Sequence, residues 1–402
     1  MTHPSEELRG TKSAELKGKI IVLGITGSIA AVEVIKLARE LIRHSASVVG
    51  VMSFEAQKII HPNAVEFATG NKPITEITGK VEHVSLCGST KSKASLLLIA
   101  PCTANTISKI ACGIDDTPVT TFATTALGSK IPILIVPAMH ASMYEHEIVQ
   151  ENIKKLKALG IEFIEPKLEE GKAKFPGIEE IVARVIRKIG KNDFQNKKIL
   201  VIAGSTKEPI DDVRYITAKS TGKTGIEIAK SAFQRGAEVK LFYGYAAEPA
   251  PDYIITEGFE SIEDLKAKLK NLNFYDAIIC PAAISDYIPE REAGKLSSEK
   301  ERLSLSLHRA PKILELIRKN YKKYLVGFKL ESNVSKKELL ERAYKKLKNE
   351  KLDLIVANDF KNISYESSEV LIIDRNKNVI VAKGRKEEIA NRILDKIKEE
   401  LS

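Results

Sequence analysis

The chain has 402 residues, 43% of them hydrophobic, and a formal net charge of +10 at pH 7. This length and apolar content predict two or three domains with packed cores. The basic excess would suit anionic small molecules or nucleic acid. Because the chain has no tryptophan and no aromatic RNA-binding signature, we expect no nucleic-acid partner, and solvated lysine faces account for most of the charge.

The cysteines and the targeting signals narrow the class of protein further. Cys87, Cys102, Cys112 and Cys280 form no C-x-x-C pair, so neither a disulfide framework nor a zinc site is expected. No signal peptide, lipidation motif or apolar stretch of 18 residues is present. We therefore expect a cytoplasmic protein with no membrane partner. The polar residues 1–17 predict a loose extension.

Short apolar strands alternate with amphipathic helices along the chain, which is the pattern of parallel α/β sheets. In the first half, a strand at 19–25 leads to a helix over 28–44, and SVVGVM leads to a helix beginning at Ser53. The strand ASLLLIA leads to the helix TANTISKIACG. The strand IPILIVP leads to a helix that begins near Met139.

The same alternation restarts in the second half with a strand at 197–204. Four further strands follow in AEVKLFYG, DAIICPAA, YLVGFKL and LDLIVAND, and SSEVLIIDRNKNVIVAKG predicts a hairpin turning at 376–378. The polar segment 187–198 is the natural join between the halves. We therefore predict two doubly wound, mainly parallel-sheet α/β domains, residues 1–192 and 193–402.

Small polar residues follow three predicted strand ends of the first half, where open parallel sheets bind their ligands. Thr26, Gly27 and Ser28 follow the first strand, Ser53 the second, and the segment 100–106 the third. Because GITGSIAA lacks the G-x-G-x-x-G spacing, a mononucleotide phosphate at a helix N-terminus is favoured over a dinucleotide. Each hydroxyl could instead be a helix N-cap, and this alternative stays open.

Two histidines of the first half are candidates for chemistry. His83 precedes the short predicted helix VSLCGST, and His140 lies in PAMHASMYEH, at a strand-to-helix turn. A single histidine is more often structural than catalytic. Met139 and Met143, at helical spacing, would ordinarily be core residues.

The second half opens with GSTKEPIDDVRYITAKSTGK, residues 204–223, which runs into a Gly-Lys-Thr without being a P-loop. A P-loop needs a glycine five positions before its Gly-Lys, and position 217 is Thr. What remains is a strand end, the acidic pair Asp211 and Asp212, and a small-residue segment, 220–223, that opens a helix. We expect an anion site of a different geometry there.

From about residue 18 to its end, the chain resembles the bifunctional phosphopantothenoylcysteine decarboxylase / phosphopantothenate–cysteine ligase family of coenzyme A biosynthesis. The first half resembles flavin-dependent cysteine decarboxylases in GITGSIA, in His83, in APCTANTI and in PAMHASM. The second half is similar to the ligases in GSTKEPIDDVR, AAISDY, Lys295, GFKLE and DLIVAND, in that order.

The resemblance implies a flavodoxin-like half that binds FMN and a Rossmann-like half that uses CTP with Mg²⁺. The ligase half would join 4′-phosphopantothenate to cysteine through an acyl-cytidylate. The flavin half would decarboxylate 4′-phosphopantothenoylcysteine to 4′-phosphopantetheine, after oxidation of the thiol to a thioaldehyde gives the carbanion a place to delocalise. It further implies a homo-oligomer, a dodecamer built from trimers of one half and dimers of the other.

The resemblance also assigns residues, while leaving the metal ligands unassigned. The implied catalytic residues are His83, His140 and Lys295. The implied flavin site consists of Gly27, Ser28, Ser53, Ala100, Thr103, Asn105 and Met139. The implied nucleotide and substrate site, in which Asp286 would contact the cytosine or ribose, consists of Gly204, Ser205, Ser220, Gly222, Lys223, Ala282, Ala283, Asp286, Phe328, Lys346 and Asn358.

Three positions depart from the family pattern. His140 and Ala218 stand where the family carries asparagine, and Glu350 stands where a basic residue is common, with Lys351 as a substitute beside it. These departures leave open how the substrate carboxylate and the acyl intermediate are held.

A fourth departure concerns the lid of the decarboxylases, which carries a cysteine that protonates the enethiol intermediate. The corresponding segment, 167–176, has Lys167 at that position and contains no cysteine. We expect the lid to close and the proton to come from Lys172, Lys174 or His140, since a loop lysine at position 167 is more simply a solvated residue.

Two other functions remain possible at this point. The chain could be a ligase whose flavin half is inactive, as His140 and the missing cysteine suggest. It could also be a flavin-binding regulatory or scaffold protein, because a fold alone does not determine function.

Overall fold

The computed structural model describes residues 3–90, 93–169, 172–297 and 302–401; for residues 167–169 and 172 it describes the backbone alone. The chain divides into two units, Met1–Lys191 and Asn192–Ser402, so the predicted boundary lies one residue away. No helix in the described ranges is long and apolar enough to cross a membrane.

The first unit alternates strands and helices, as its sequence predicts. Its strands are β1 (Ile20–Ile25), β2 (Ser47–Met52), β3 (Leu96–Cys102), β4 (Ile133–Pro137), β5 (Met139–His140), β6 (Glu162–Phe163), β7 (Lys167–Glu169) and β8 (Lys172–Lys174). Its helices are α1 (Pro4–Glu7), α2 (Val34–Arg43), α3 (Phe54–Gln57), α4 (Pro62–Thr69), α5 (Glu82–Cys87), α6 (Ala104–Cys112), α7 (Pro118–Gly128), α8 (Ala141–Tyr144), α9 (Glu147–Ala158) and α10 (Ile178–Ile189).

The main sheet of this unit is parallel, with the strand order β2-β1-β3-β4-β6. Counted along the sheet, this is the 2-1-3-4-5 order of flavodoxin-like folds. Successive residues of β1 point to opposite faces: Ile21, Leu23 and Ile25 enter one hydrophobic cluster, and Val22 enters the other. Both faces are therefore covered, which explains why the strands are apolar throughout.

The N-terminal segment differs from its prediction as a loose extension. Leu16 is fully buried in the core of the first unit, and the Arg9 guanidinium donates a hydrogen bond to the Ala46 carbonyl (2.7 Å). The prediction is wrong because a few apolar side chains in a polar segment suffice to attach it to an existing core.

Two further predictions of local structure are corrected. The helix expected over 28–44 begins as a 3₁₀ turn, Ile29–Glu33, before α2. Met139 and His140 form the short strand β5 rather than the start of a helix, and Met143 is 49% exposed rather than a core residue. The His140 side chain caps the following helix α8, which begins at Ala141, two residues after the predicted start.

The second unit contains a larger sheet. Its strands are β9 (Lys198–Ala203), β10 (Lys207–Pro209), β11 (Tyr215–Thr217), β12 (Glu238–Tyr243), β13 (Ile255–Gly258), β14 (Ala277–Cys280), β15 (Tyr287–Pro289), β16 (Leu307–Arg309), β17 (Tyr324–Glu331), β18 (Leu354–Asp359), β19 (Ser367–Asp374) and β20 (Val379–Arg385). Its helices are α11 (Lys223–Gln234), α12 (Ile262–Lys268), α13 (Ile313–Asn320), α14 (Lys336–Asn349) and α15 (Lys386–Leu401).

The strand order of the larger sheet is β13-β12-β9-β14-β17-β18-β19-β20. Its first six strands are parallel and follow the 3-2-1-4-5-6 order of Rossmann folds. The predicted hairpin is present as the antiparallel pair β19–β20. Asp374 stabilises its turn by accepting hydrogen bonds from the N–H groups of Asn376 and Asn378 (both 2.9 Å).

Candidate active sites

In the first unit, the strand order reverses between β1 and β3, and ligands of such sheets bind at the carboxyl ends flanking this point. Thr26 follows β1, and its hydroxyl donates to the Pro101 carbonyl (2.8 Å) and accepts from the N–H of Thr103 (3.0 Å), which follows β3. This arrangement joins the two strand ends and places the start of α6 beside them. The unpaired N–H groups of that helix terminus suit an anion.

The glycine after β1 is required by close packing. A Cβ on Gly27 would lie 2.5 Å from the Cβ of Glu55, so no larger residue fits there. Ser28, which precedes the 3₁₀ turn, makes no capping hydrogen bond with its side chain. The backbone can therefore approach closely here, next to a hydroxyl that has no capping role.

The alternative of helix capping is observed for two of the predicted flavin-site hydroxyls. Ser53 accepts a hydrogen bond from the N–H of Ala56 (3.2 Å), and Thr103 accepts one from the N–H of Thr106 (3.3 Å). Because a hydroxyl has one donor and two acceptor sites, capping leaves capacity for a ligand. Among the remaining predicted flavin residues, Ala100 is buried, Met139 is half-buried and Asn105 is exposed.

His83 lies in the first turn of α5 rather than ahead of it. Its Nδ1 atom is buried and has no hydrogen-bond partner in the described part of the chain. Its ring meets Phe122 edge-on, with the ring centroids 6.5 Å apart. Since buried polar atoms are normally hydrogen-bonded, the unpartnered Nδ1 has capacity for a further hydrogen bond.

His140 is exposed at the end of β5. Its Nδ1 accepts a hydrogen bond from the N–H of Ser142 (3.4 Å) and lies 2.9 Å from the hydroxyl of the same residue. This contact leaves Nε2 as the ring nitrogen that can meet a ligand.

The segment predicted as a lid contains two antiparallel strands, β7 and β8, that lie beside β5. Strand β8 pairs with β7 on one side and with β5 on the other, so that Met139 lies opposite Ala173 and His140 opposite Lys172. The segment predicted as a lid is therefore attached to PAMHASM through backbone pairing. The predicted side-chain roles of Lys167 and Lys172 lie outside the described residues.

In the second unit, the corresponding reversal lies between β9 and β14. Gly204 comes directly after β9 and has a φ of +83°. It packs against Gly244, and a Cβ at position 204 would lie 2.8 Å from the Gly244 carbonyl group. Its own carbonyl accepts from the N–H of Ala283 (2.8 Å), and the N–H of Ala282 donates to the Ile202 carbonyl (3.0 Å). The hydroxyl of Ser205 donates to the Tyr245 carbonyl (2.9 Å). The structure thus brings four predicted site residues together.

Helix α11 begins as the sequence predicts, just after the small-residue segment. Gly222 is its N-cap, with φ +74°, and a Cβ there would lie 2.3 Å from the Tyr243 hydroxyl. Ser220 accepts a hydrogen bond from the Gly222 N–H (3.2 Å). The conformation and packing at position 222 therefore require glycine, and a glycine N-cap leaves the helix terminus without a side-chain cap.

The predicted cation of this terminus has a partner that sequence reasoning missed. Lys223 forms an ion pair with Glu366 (2.6 Å) and lies over the Tyr365 ring, 4.1 Å from its centroid. Burial by itself would lower the pKa of Lys223, but the hydrogen bond that its ammonium donates to Glu366 raises it. Glu366 lies 143 residues away in sequence, and no local pattern indicates the pairing.

Asp286 follows β14 and forms an ion pair with Lys312 (2.5 Å), whose hydrogen bond lowers the Asp286 pKa. Its carboxylate is exposed, as a group that contacts a nucleotide must be before binding. Lys312 was not predicted, and its position after a proline in RAPKIL gives no signal for this role.

Phe328 lies on strand β17 and Asn358 on the adjacent strand β18. Lys346 lies on helix α14, between these strands in sequence. The Lys346 ammonium donates to the Phe328 carbonyl (3.1 Å) and lies 3.9 Å from Glu350. Burial raises the pKa of Glu350, whose Oε2 has no hydrogen-bond partner within the described ranges. Asn358 is half-buried near the end of β18. These groups line the same edge of the sheet as Asp286.

Lys295 is exposed, and its ammonium makes no hydrogen bond or ion pair with any described residue. Within the described ranges, no hydrogen bond or ion pair therefore joins Lys295 to the predicted residues Asp286 and Lys346. Its chain neighbours, however, are held: the N–H groups of Gly294 and Leu296 donate to Asp212 (3.2 Å) and Asp211 (3.1 Å). In the sequence the two aspartates stood out as an acidic pair within the ligase motif GSTKEPIDDVR, with no sign of this contact.

The described residues contain no group of three or more His, Cys, Asp or Glu side chains arranged to hold a metal ion.

Comparisons with known proteins cover both units. A family model described as Flavoprotein matches residues 9–190, and one described as DNA/pantothenate metabolism flavoprotein C-terminal domain matches residues 194–401. The coenzyme A biosynthesis bifunctional protein CoaBC of Thermococcus kodakarensis is 49% identical over 405 aligned positions, covering 100% of both chains. That of Methanocaldococcus jannaschii is 43% identical, covering 98% of this chain and 97% of the relative.

Among solved structures, the DNA/pantothenate metabolism flavoprotein from Streptococcus pneumoniae is 32% identical and covers 51% of this chain and 99% of its own, with a TM-score of 0.47. The full-length similarity to the bifunctional relatives confirms the family recognised from the motifs. This chain belongs to the family of bifunctional proteins of coenzyme A biosynthesis, with a flavoprotein half followed by a ligase half.

Proposed function

We propose that residues 193–402 join 4′-phosphopantothenate to cysteine with CTP, and that residues 1–192 decarboxylate the product to 4′-phosphopantetheine with FMN. The observation that carries this proposal is the match along the whole length of the bifunctional relatives. The residues predicted for each site lie at the strand ends of their own unit, near the point where its strand order reverses, which supports a separate site for each reaction.

In the ligase half, the carboxylate of 4′-phosphopantothenate would attack the α-phosphorus of CTP and release pyrophosphate. The amine of cysteine would then attack the acyl carbonyl and release CMP. Lys295 would stabilise the charge that develops on the phosphate, and Asp286 would contact the cytosine or ribose. We propose that Mg²⁺ is bound mainly by the nucleotide phosphates, the usual arrangement for this ion.

The residues of the first unit fit FMN. Gly27 has no room for a side chain, the Ser28 hydroxyl caps no helix, and α6 begins at the same edge of the sheet. We propose that these residues, with Ser53, Thr103 and the neighbouring residues named above, hold the cofactor. When bound, FMN supplies the two-electron oxidation of the substrate thiol that makes loss of carbon dioxide possible.

Among the chain's own groups, we assign proton transfer to His83, whose unpartnered Nδ1 can accept or donate a hydrogen bond once substrate is present. The hairpin β7–β8, attached to β5, would exclude water from the reacting group.

The experiment that tests this function is incubation of the purified chain with 4′-phosphopantothenate, cysteine and each nucleoside triphosphate in turn, with products identified by mass. We expect 4′-phosphopantetheine, carbon dioxide and CMP with CTP. Accumulation of 4′-phosphopantothenoylcysteine by a yellow protein would mean that the flavin half is inactive. A yellow protein that forms neither product would be a binding or scaffold protein.

A prediction arises from the lid. Replacing His140 by alanine should slow decarboxylation by a factor on the order of 10 to 10² and let the enethiol accumulate, because the exposed Nε2 is then lost as a proton donor. Replacing Lys167 by alanine should leave turnover nearly unchanged. Product analysis by mass after rapid quenching measures both effects, and a stall at the enethiol in the Lys167 variant alone would contradict this assignment.

We also propose that the first unit assembles into trimers and the second into dimers, giving a dodecamer. Apolar side chains next to the proposed flavin residues support an interface there: Ile29 is 77% exposed, Phe54 68% and Met143 49%. Light scattering of the flavin-loaded chain should report a mass near twelve subunits. A monomer with full flavin occupancy would refute the assembly.

A further inference from the structure

Two segments of the ligase half that are far apart in sequence are joined by a series of hydrogen bonds. The N–H of Glu292 donates to the Ile210 carbonyl (2.9 Å), and Asp212 exchanges hydrogen bonds with Gly294 through its own N–H (3.1 Å) and its carboxylate (3.2 Å). The turn 210–214 thus runs beside the loop 292–296. Lys295 lies within the segment that these contacts hold.

Asp211 is the centre of this contact, and its side chain is fully buried. Its Oδ1 atom accepts the N–H groups of Val213 (2.8 Å) and Arg214 (2.6 Å), both within the turn. Its Oδ2 atom accepts the Arg214 Nε–H (2.9 Å) and the Leu296 N–H (3.1 Å). One oxygen therefore holds the turn, and the other connects the turn to the Lys295 loop.

Arg214 completes the connection, because its Nη2 also donates to the Leu296 carbonyl (2.6 Å). Leu296 is thus bound at both its N–H and its carbonyl. A buried carboxylate is tolerated only when its charge is paired and its oxygens are hydrogen-bonded, and this set of donors meets both conditions. Burial alone would raise the pKa of Asp211, but these N–H groups lower it to about 2, so the group stays charged at neutral pH.

We propose that Asp211 is a positioning residue for the ligase reaction, acting through Leu296 and Arg214 to hold the loop that presents Lys295. This inference rests on the proposed function. The Lys295 ammonium has no partner of its own among the described residues, so its place depends on how its backbone is held. Charge stabilisation in a transition state requires a donor positioned in advance, and a displacement of about 1 Å can cost on the order of 10² in rate.

Replacing Asp211 by asparagine separates the two functions of the carboxylate. The amide has one acceptor oxygen and one NH₂ group. With the oxygen in place of Oδ1, the turn is kept, while the NH₂ group faces the N–H groups of Leu296 and Arg214 and cannot accept from them. We expect this variant to release the loop without unfolding the turn.

In the full-length chain, Asp211→Asn should lower ligase kcat by a factor on the order of 10 to 10² and change the KM for CTP by about threefold or less. Trypsin should cleave after Lys295 faster than in the unmodified protein, as followed by mass. Asp212→Asn is the matched control. Its amide oxygen can still accept the Gly294 N–H, and the ion pair with Arg291 that it loses is exposed and contributes little, so we expect a change of about threefold or less.

The decisive measurement is a double-mutant cycle with Lys295→Ala. If Asp211 acts through Lys295, adding Asp211→Asn to Lys295→Ala causes no further loss. A further loss of the same factor in the Lys295→Ala background would overturn the proposal, as would a slower reaction with an unchanged rate of cleavage after Lys295.

Two further outcomes are distinguishable. If Asp211→Asn also lowers decarboxylation, its fold is disturbed. The variant Arg214→Lys then takes its place in the double-mutant cycle, because a lysine ammonium cannot reproduce the guanidinium geometry that joins Asp211 to Leu296. Additive losses of Arg214→Lys and Lys295→Ala would again refute the proposal. An unmodified protein without ligase activity would instead refute the proposed function, and the cleavage rates would still report whether Asp211 holds the loop.

Discussion

Replacing Lys295 by alanine is expected to lower ligase turnover by a factor on the order of 10² to 10³ and to leave decarboxylation at the rate of the unmodified protein. The reason is that cytidylyl transfer builds negative charge on a phosphate, and a positioned ammonium group stabilises that charge. Lys295 is exposed and unpaired in the described part of the chain, so its charge is available to the nucleotide.

The rate should be measured as pyrophosphate release from CTP, with decarboxylation of added 4′-phosphopantothenoylcysteine as an internal check of folding. Lys322→Ala is a suitable control, because Lys322 is also exposed and lies outside the proposed site. Equal losses in both reactions would indicate a disturbed fold and would contradict the assignment of Lys295.

The converse result is expected for His83→Asn, which should lower decarboxylation by a factor on the order of 10² to 10⁴ while ligase turnover continues. Asparagine can place a hydrogen-bonding atom near the position of Nδ1, but it cannot carry a proton between donor and acceptor. His83 is the group we expect to transfer that proton, because its Nδ1 is buried and unpartnered among the described residues.

Carbon dioxide release measures the effect, and the FMN absorption spectrum shows whether the cofactor is retained. His61→Asn provides the control, since the exposed His61 caps α4 through its Nδ1 and asparagine caps helices equally well. Retention of full decarboxylation by the His83 variant would remove this residue from the catalytic assignment.

Much of the fold could be predicted from local sequence patterns. Apolar runs of strand length placed β1, β3, β9 and β18, and the turn residues at 376–378 placed the hairpin β19–β20. These patterns are local because side-chain periodicity and turn chemistry depend on neighbouring residues. The strand orders followed the two α/β folds that the family resemblance implied.

Local patterns were insufficient where an element is short or lies at an edge. The edge strand β13 was not predicted, and β5 was predicted as a helix start, because short segments carry little periodicity and take their conformation from the strand beside them. Leu16 likewise gave no sign that it enters the core.

In the candidate sites, too, some features were predicted from the sequence and others were decided by the tertiary structure. Motif residues such as Gly204, Gly222 and His83 were found from the sequence, because the residue types of a motif and the order of the motifs can be read directly from it. The pairing of Lys223 with Glu366, and the contact of Asp211 with Leu296, were decided only by the tertiary structure. Hydrogen bonds and ion pairs act over about 3 Å in space, and the chain separation of these partners gives no sequence signal that they meet.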